Sequence, residues 1–185
     1  MIFNSNNTFG LVTIVLHWLL AIIIIGQFIF GLYMLSLSYY DPNYHSLPFY
    51  HKSIGIVFAF LLLIRIVWTC INPRPLPASN APQWQSRLAV FLQWTMNLLL
   101  IVVVIMGYLI STASGDGISV FGWFEIPASM TSIPNQEEVA GQWHYWLACT
   151  VITLAGFHGL AALKHHFIDK DQTLNRMIRV SLAKK

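Results

Sequence analysis

Four long apolar runs alternate along the chain with short stretches rich in polar, aromatic and proline residues. The runs cover residues 14–37, 51–71, 88–112 and 143–167. Each reaches the roughly 20 residues that an α-helix needs to cross a bilayer core. Apolar side chains fill nearly every side of each run, whereas a surface helix of a soluble protein keeps one polar face. The pattern predicts an all-α fold, a four-helix transmembrane bundle in which residues 1–185 form a single membrane domain.

The intervening stretches predict three loops. Residues 38–50 are aromatic, with Asp41-Pro42 breaking the helix. Residues 72–87 carry Pro73, Pro75, Pro77 and Pro82, which suits a stiff, non-helical connection. Residues 113–142 contain Ser114-Gly115-Asp116-Gly117, read as a turn, and Phe121-Gly122-Trp123-Phe124, read as a piece lying in the membrane interface. No internal repeat or low-complexity tract interrupts this order.

Composition sharpens the class. The 185 residues are 56% hydrophobic and 9% charged, against about 25% charged in an ordinary soluble domain. The net charge of +3 first suggests a nucleic-acid partner, but six of the ten Lys and Arg residues lie at or after Lys164. That distribution is one of membrane topology, and no nucleic-acid partner is expected. The 72–87 loop holds Arg74 and Arg87, and the tail holds Lys164, Lys170, Arg176, Arg179, Lys184 and Lys185. The other two loops hold no Lys or Arg. The positive-inside rule then puts both termini and the middle loop in the cytoplasm. The outward-facing segments carry Asp41, Asp116, Glu125, Glu137 and Glu138, with Lys52 as the nearby base. Trp18, Trp68, Trp84, Trp143 and Trp146 fall near the expected interfaces, as in aromatic belts. Residues 1–16 lack the basic n-region of a cleaved signal, and the apolar run that follows is long enough to span. Cys70 and Cys149 lie in apolar stretches without zinc or covalent-haem spacing and are expected to be packed thiols.

The candidate chemistry lies with the histidines, because ionisable groups inside a bilayer are costly and functional by default. His17, His51, His144 and His158 fall within the predicted spans. With helix 1 entering from the cytoplasm, His17 sits roughly 5 Å deep at a rise of about 1.5 Å per residue. His158 follows His144 by fourteen residues on the descending helix 4, which is about 21 Å further down and within about 40° of the same face. His51 and His144 open their helices at the outer side. Two pairs result, His17 with His158 and His51 with His144, each at one level. A b-type haem held by two axial imidazoles on facing helices needs this arrangement. Helix-to-helix hydrogen bonding, another metal or a proton relay is the alternative for each histidine.

Arg65 lies fourteen residues after His51, so it shares that face but is about 21 Å deeper, near the cytoplasmic pair. It is placed either to pair with haem propionates or to snorkel to the interface. His165 continues the His158 stripe at the cytoplasmic edge. It is read as a protonatable group for a quinone headgroup or, with Lys164 and His166, as a basic anchor. Gly55, Gly107, Gly156 and Gly159 allow close approach of a helix or a porphyrin. His45 receives no role.

These residues resemble the bacterial cytochrome b561 family, small four-helix di-haem proteins of the inner membrane. The likeness covers nearly the whole chain. It rests on His17-Trp18-Leu19, His51-Lys52-Ser53-Ile54-Gly55, Arg65, His144 and residues 157–170, FHGLAALKHHFIDK. The resemblance implies two haems b, with His17 and His158 ligating the cytoplasmic-side haem and His51 and His144 the outer one. It also implies a ubiquinone or related quinone near His165, lipid as surroundings and a periplasmic electron partner. A homodimer is compatible with the chain. Some members oxidise superoxide and reduce ubiquinone, so a superoxide:ubiquinone oxidoreductase is the enzymatic alternative. The acidic outer loops disfavour steering of an anion, and electron transfer between a periplasmic partner and the quinone pool is the preferred expectation. A haem-free helical ion or proton carrier is the alternative from a different class.

Overall fold

The computed structural model describes residues 1–77, 82–131 and 133–179; Lys184 and Lys185 of the basic tail lie outside the described residues. Four long α-helices dominate, α1 (Leu11–Leu35), α2 (Ser46–Ile71), α3 (Gln83–Thr112) and α4 (Gln136–Phe167). All four are long and apolar enough to cross a membrane. Their outward sides carry exposed Ile22, Ile25 and Ile29 on α1, Phe60, Leu63 and Val67 on α2 and Leu160 on α4. In water such surfaces would aggregate; in lipid they are the solvated face.

The helices begin earlier than the apolar runs. α2 starts at Ser46 and α4 at Gln136, so His51 and His144 do not open their helices as expected but lie one to two turns inside. Apolarity marks only the part matched to hydrocarbon, and a helix continues past it while its backbone still gains by bonding to itself. Pro48 falls in the first turn of α2, where its missing N–H has no helical partner to lose. Pro82 directly precedes α3, and Arg87, assigned above to a loop, lies within that helix. α4 has Glu137 and Glu138 in its first turn and Lys164, His165 and His166 in its last. Both ends thereby oppose the helix dipole.

Two smaller elements were not legible as structure. The long third loop contains an antiparallel hairpin, β1 (Ile118–Val120) with β2 (Phe124–Ile126), registered Ile118↔Ile126 and Val120↔Phe124. The Phe121-Gly122-Trp123-Phe124 stretch is the turn and second strand of this hairpin, with Phe121 and Gly122 at positive φ of 52° and 74°. Its Trp123 is nonetheless 82% exposed. The tail forms a short helix, α5 (Thr173–Ile178). Cys149 is half-buried, but Cys70 is exposed, contrary to the expected packing. In a spanning helix a thiol meets lipid without penalty, because it behaves as a small apolar group.

The chain divides into two units, and each long helix contributes a segment to both. One comprises Met1–Ala21, Leu61–Asn97 and Thr153–Lys185; the other comprises Ile22–Phe60 and Leu98–Ile152. Within the first, residues 1–10 fold back over the start of α1. The Leu11 N–H donates to the Met1 carbonyl at 3.0 Å. The Asn4 Oδ1 accepts from the Gly10 N–H at 2.8 Å and from the Thr13 hydroxyl at 2.7 Å. A side chain at Gly10 would strike the Ile2 and Phe3 backbone, so glycine is required there. Phe3 stacks on Trp68, whose indole N–H donates to Thr13 Oγ1 at 3.0 Å. The tail helix docks through the Trp18 indole N–H on the Met177 carbonyl (2.7 Å) and Arg176 on the Leu76 carbonyl (2.8 Å).

Within the second unit, Ser53 is fully buried on α2. Its hydroxyl faces the Phe49 and Ser119 carbonyls at 2.9 and 3.3 Å and accepts the Phe121 N–H at 3.0 Å. This one side chain fixes the hairpin to α2 two residues after His51. The Tyr108 hydroxyl, bonded to the Pro127 carbonyl and the Ser129 N–H at 2.8 Å each, ties the following loop to α3. The Gln136 amide donates to the Leu109 and Met130 carbonyls and fixes the start of α4.

Candidate haem sites

The structure brings the four intramembrane histidines together in two pairs. His17 on α1 and His158 on α4 stand with ring centres 6.2 Å apart and planes at 71°. His51 on α2 and His144 on α4 stand 6.2 Å apart with planes at 74°. No hydrogen bond joins the rings of either pair among the described residues. Each pair lies within one unit, the first with Arg65 and the second with the hairpin.

The surroundings of the pairs differ. In the unit of His17 and His158, Arg65 is half-buried on α2. Among the described residues no carboxylate pairs with that guanidinium. His17 is half-buried, while His158 is exposed on the protein surface. Neither ring has a protein hydrogen-bond partner among the described residues.

At the other pair, His144 Nδ1 lies 2.9 Å from the Val103 carbonyl. A carbonyl only accepts, so Nδ1 carries the proton and Nε2 presents its lone pair. Gly107, one turn along α3, makes room for this ring. A Cβ at Gly107 would stand 3.1 Å from His144 Cε1 and 3.3 Å from Nδ1. His51 is placed by its backbone, since its carbonyl accepts the Gln27 amide at 2.8 Å, and its ring lies against Phe30 at 6.1 Å. A Cβ at Gly31 would stand 3.5 Å from His51 Cε1. The His51 Nδ1 is buried without a hydrogen-bond partner. An apolar hollow of about 580 Å³, lined by Gly26, Gln27, Phe30, Tyr33 and Ile54 among others, lies alongside.

Comparison with known proteins identifies the class. The sequence profile of the prokaryotic cytochrome b561 family matches residues 8–179. The chain belongs to that family. It is 47% identical over 175 residues to cytochrome b561 homolog 2 of Escherichia coli (strain K12), covering 95% of this chain and 93% of the relative. It is 27% identical over 165 residues to the probable superoxide oxidase CybB of Yersinia pestis, covering 88% and 91%. As a member of the cytochrome b561 family, this chain is a multi-pass membrane protein that binds b-type haem and transfers electrons.

The paired histidines fit such a group by geometry. An imidazole nitrogen binds a first-row metal at about 2.0–2.1 Å, with the ring centre about 1.15 Å behind it. Two imidazoles on opposite sides of one iron therefore stand with ring centres about 6.4 Å apart. Both pairs match that value closely. His144 further shows the outer hydrogen bond that orients metal-bound histidines and fixes their tautomer.

His165 is placed elsewhere. It lies at the end of α4, with Nδ1 at ion-pair distance from Asp169 (2.9 Å) and Asp171 (3.0 Å). The Lys164 ammonium sits 2.7 Å from the same Asp169 oxygen. Ligand atoms of His165, Asp169 and Asp171 converge within 4.8 Å, a spacing open to a cation. Lys164 already supplies positive charge there, and the cluster serves to join α4 to α5. Burial of Asp171 raises its carboxyl pKa, but the backbone and side-chain hydrogen bonds of Thr173 and the nearby His165 outweigh it, and the net shift is downward. Sequence reasoning missed Gln27, Ser53 and the Val103 carbonyl as supports of the His51–His144 site. Ser53 stood within the family-like stretch His51–Gly55, but its hairpin partner is 66 residues away.

Proposed function

We propose that this protein holds two haems b and relays electrons between an electron partner outside the cell's inner membrane and the quinone pool. His17 and His158 would hold one haem, and His51 and His144 the other. The observation that carries this reading is the recurrence of one ring separation, 6.2 Å, at both pairs. Arg65 is the propionate-side or field-setting cation of the first site. Each haem supplies one-electron chemistry. Held by two imidazoles each, the haems would favour outer-sphere transfer over oxygen binding.

By the positive-inside rule the basic residues support a cytoplasmic location for both termini, and with it a cytoplasmic-side His17–His158 site. The quinone, ubiquinone or a close relative, is assigned to that side, near His165. Its imidazole, beside Asp169 and Asp171, is the group assigned to the headgroup. The whole chain acts as one membrane domain.

A reduced-minus-oxidised spectrum of the purified protein, with haem counted per chain, tests the reading. Two b-type haems per chain are expected. None, in folded protein expressed with ample haem, overturns it. Superoxide:ubiquinone oxidoreduction is the second reading, favoured by the Yersinia pestis relative and opposed by the acidic outer segments. Superoxide loss near the diffusion limit, coupled to quinone reduction, would decide for it.

A further inference from the structure

The two sites treat an added electron differently. A fixed cation in a low-dielectric region stabilises the reduced state of a nearby redox centre, because reduction adds one negative charge. Arg65 lies on α2 fourteen residues beyond His51, in the same unit as His17 and His158, and no acidic partner cancels its charge among the described residues. At the other pair the protein acts in the opposite sense. The Val103 carbonyl accepts the His144 Nδ1 proton at 2.9 Å, which pushes electron density toward Nε2 and makes it a stronger donor to ferric iron. Gly107 allows this contact, since its missing side chain is what the His144 ring packs against.

We infer that Arg65 and the Val103–Gly107 seat of His144 split the reduction potentials of the two sites, so that the His17–His158 site is the higher. This rests on the two-haem reading above. One electron and no atoms then pass downhill from the His51–His144 site, which is oxidised, to the His17–His158 site, which is reduced. The direction of flow within the chain is thus set by residues that ligate nothing: Arg65 and Gly107 are positioning and field-setting residues.

Potentiometric titration of the haem-loaded full chain, followed in the visible band, tests this. Wild type is expected to reduce in two resolved steps. Arg65→Gln should lower the higher step by at least tenfold in its one-electron equilibrium constant, a 59 mV shift, and leave the lower step in place. Arg65→Lys should restore most of that loss. Gly107→Ala should raise the lower step alone, by displacing His144 from the Val103 carbonyl. If Arg65→Gln moves neither step or moves the lower one, or if Gly107→Ala leaves the lower step unchanged, the inference is wrong while the haem assignment stands. If Arg65→Gln loses haem, Arg65→Lys and Gly107→Ala decide by the same criteria. Absence of haem from the wild type would instead remove the two-haem reading on which the inference depends.

Discussion

The two histidine pairs have the same ring separation and nearly the same interplanar angle, but they are built by different means. The His17–His158 site takes its histidines from α1 and α4, shares its unit with Arg65, and is flanked by a polar network of chain ends. The His51–His144 pair is held by short hydrogen bonds: a backbone carbonyl for the His144 imidazole, the Gln27 amide for the His51 carbonyl and a serine clamp that ties the hairpin to α2. One imidazole spacing is therefore reached with two kinds of support. The first pair has no hydrogen-bonded ring among the described residues, and the second is held by hydrogen bonds and close packing. Variants should separate them.

The largest effect is expected from removing a ligand. His158→Ala should halve haem per chain while the His51–His144 site keeps its haem, and His144→Ala should do the reverse. Haem quantification on both variants checks this; loss of both haems from either one would show that the sites do not fill independently. Next comes the hairpin clamp. Ser53→Ala strands the Phe121 N–H and should cost about 1–3 kcal/mol. It should be read as a lower melting temperature with disturbed haem absorption at the His51–His144 site only.

The tail offers smaller effects confined to the other site. The Asp171 pKa is depressed in the folded chain, so its contribution to docking of α5 is present above the ordinary carboxylate range. It should fade as pH falls below about 4 and the carboxyl protonates. Hydrogen exchange of residues 173–178 between pH 6 and pH 3 follows this, and Asp171→Asn should flatten the dependence. Trp18→Phe removes the bond to the Met177 carbonyl and should cost about 1 kcal/mol, seen as faster proteolysis of the tail with both haems retained. Any change at the His51–His144 site in these tail variants would break the comparison.

The sequence by itself determined the spanning helices, the class and the matching of His17 to His158 and His51 to His144. Apolar run length and a constant rise per residue carry that information along a single helix, and a residue's level follows from counting. It could not place the helix starts, because a helix continues beyond the apolar stretch that reveals it. Nor could it find the hairpin, the exposed side of Cys70, α5 or the supports of the second site. Those depend on which side of one helix meets which side of another. The Val103 carbonyl lies 41 residues from His144 and carries no side-chain signature at all. Gly107 reads as an ordinary packing glycine until the imidazole is seen against it. Tertiary structure decided these features because an acceptor on the backbone is present at every residue, and only the fold selects the one that a given histidine can reach.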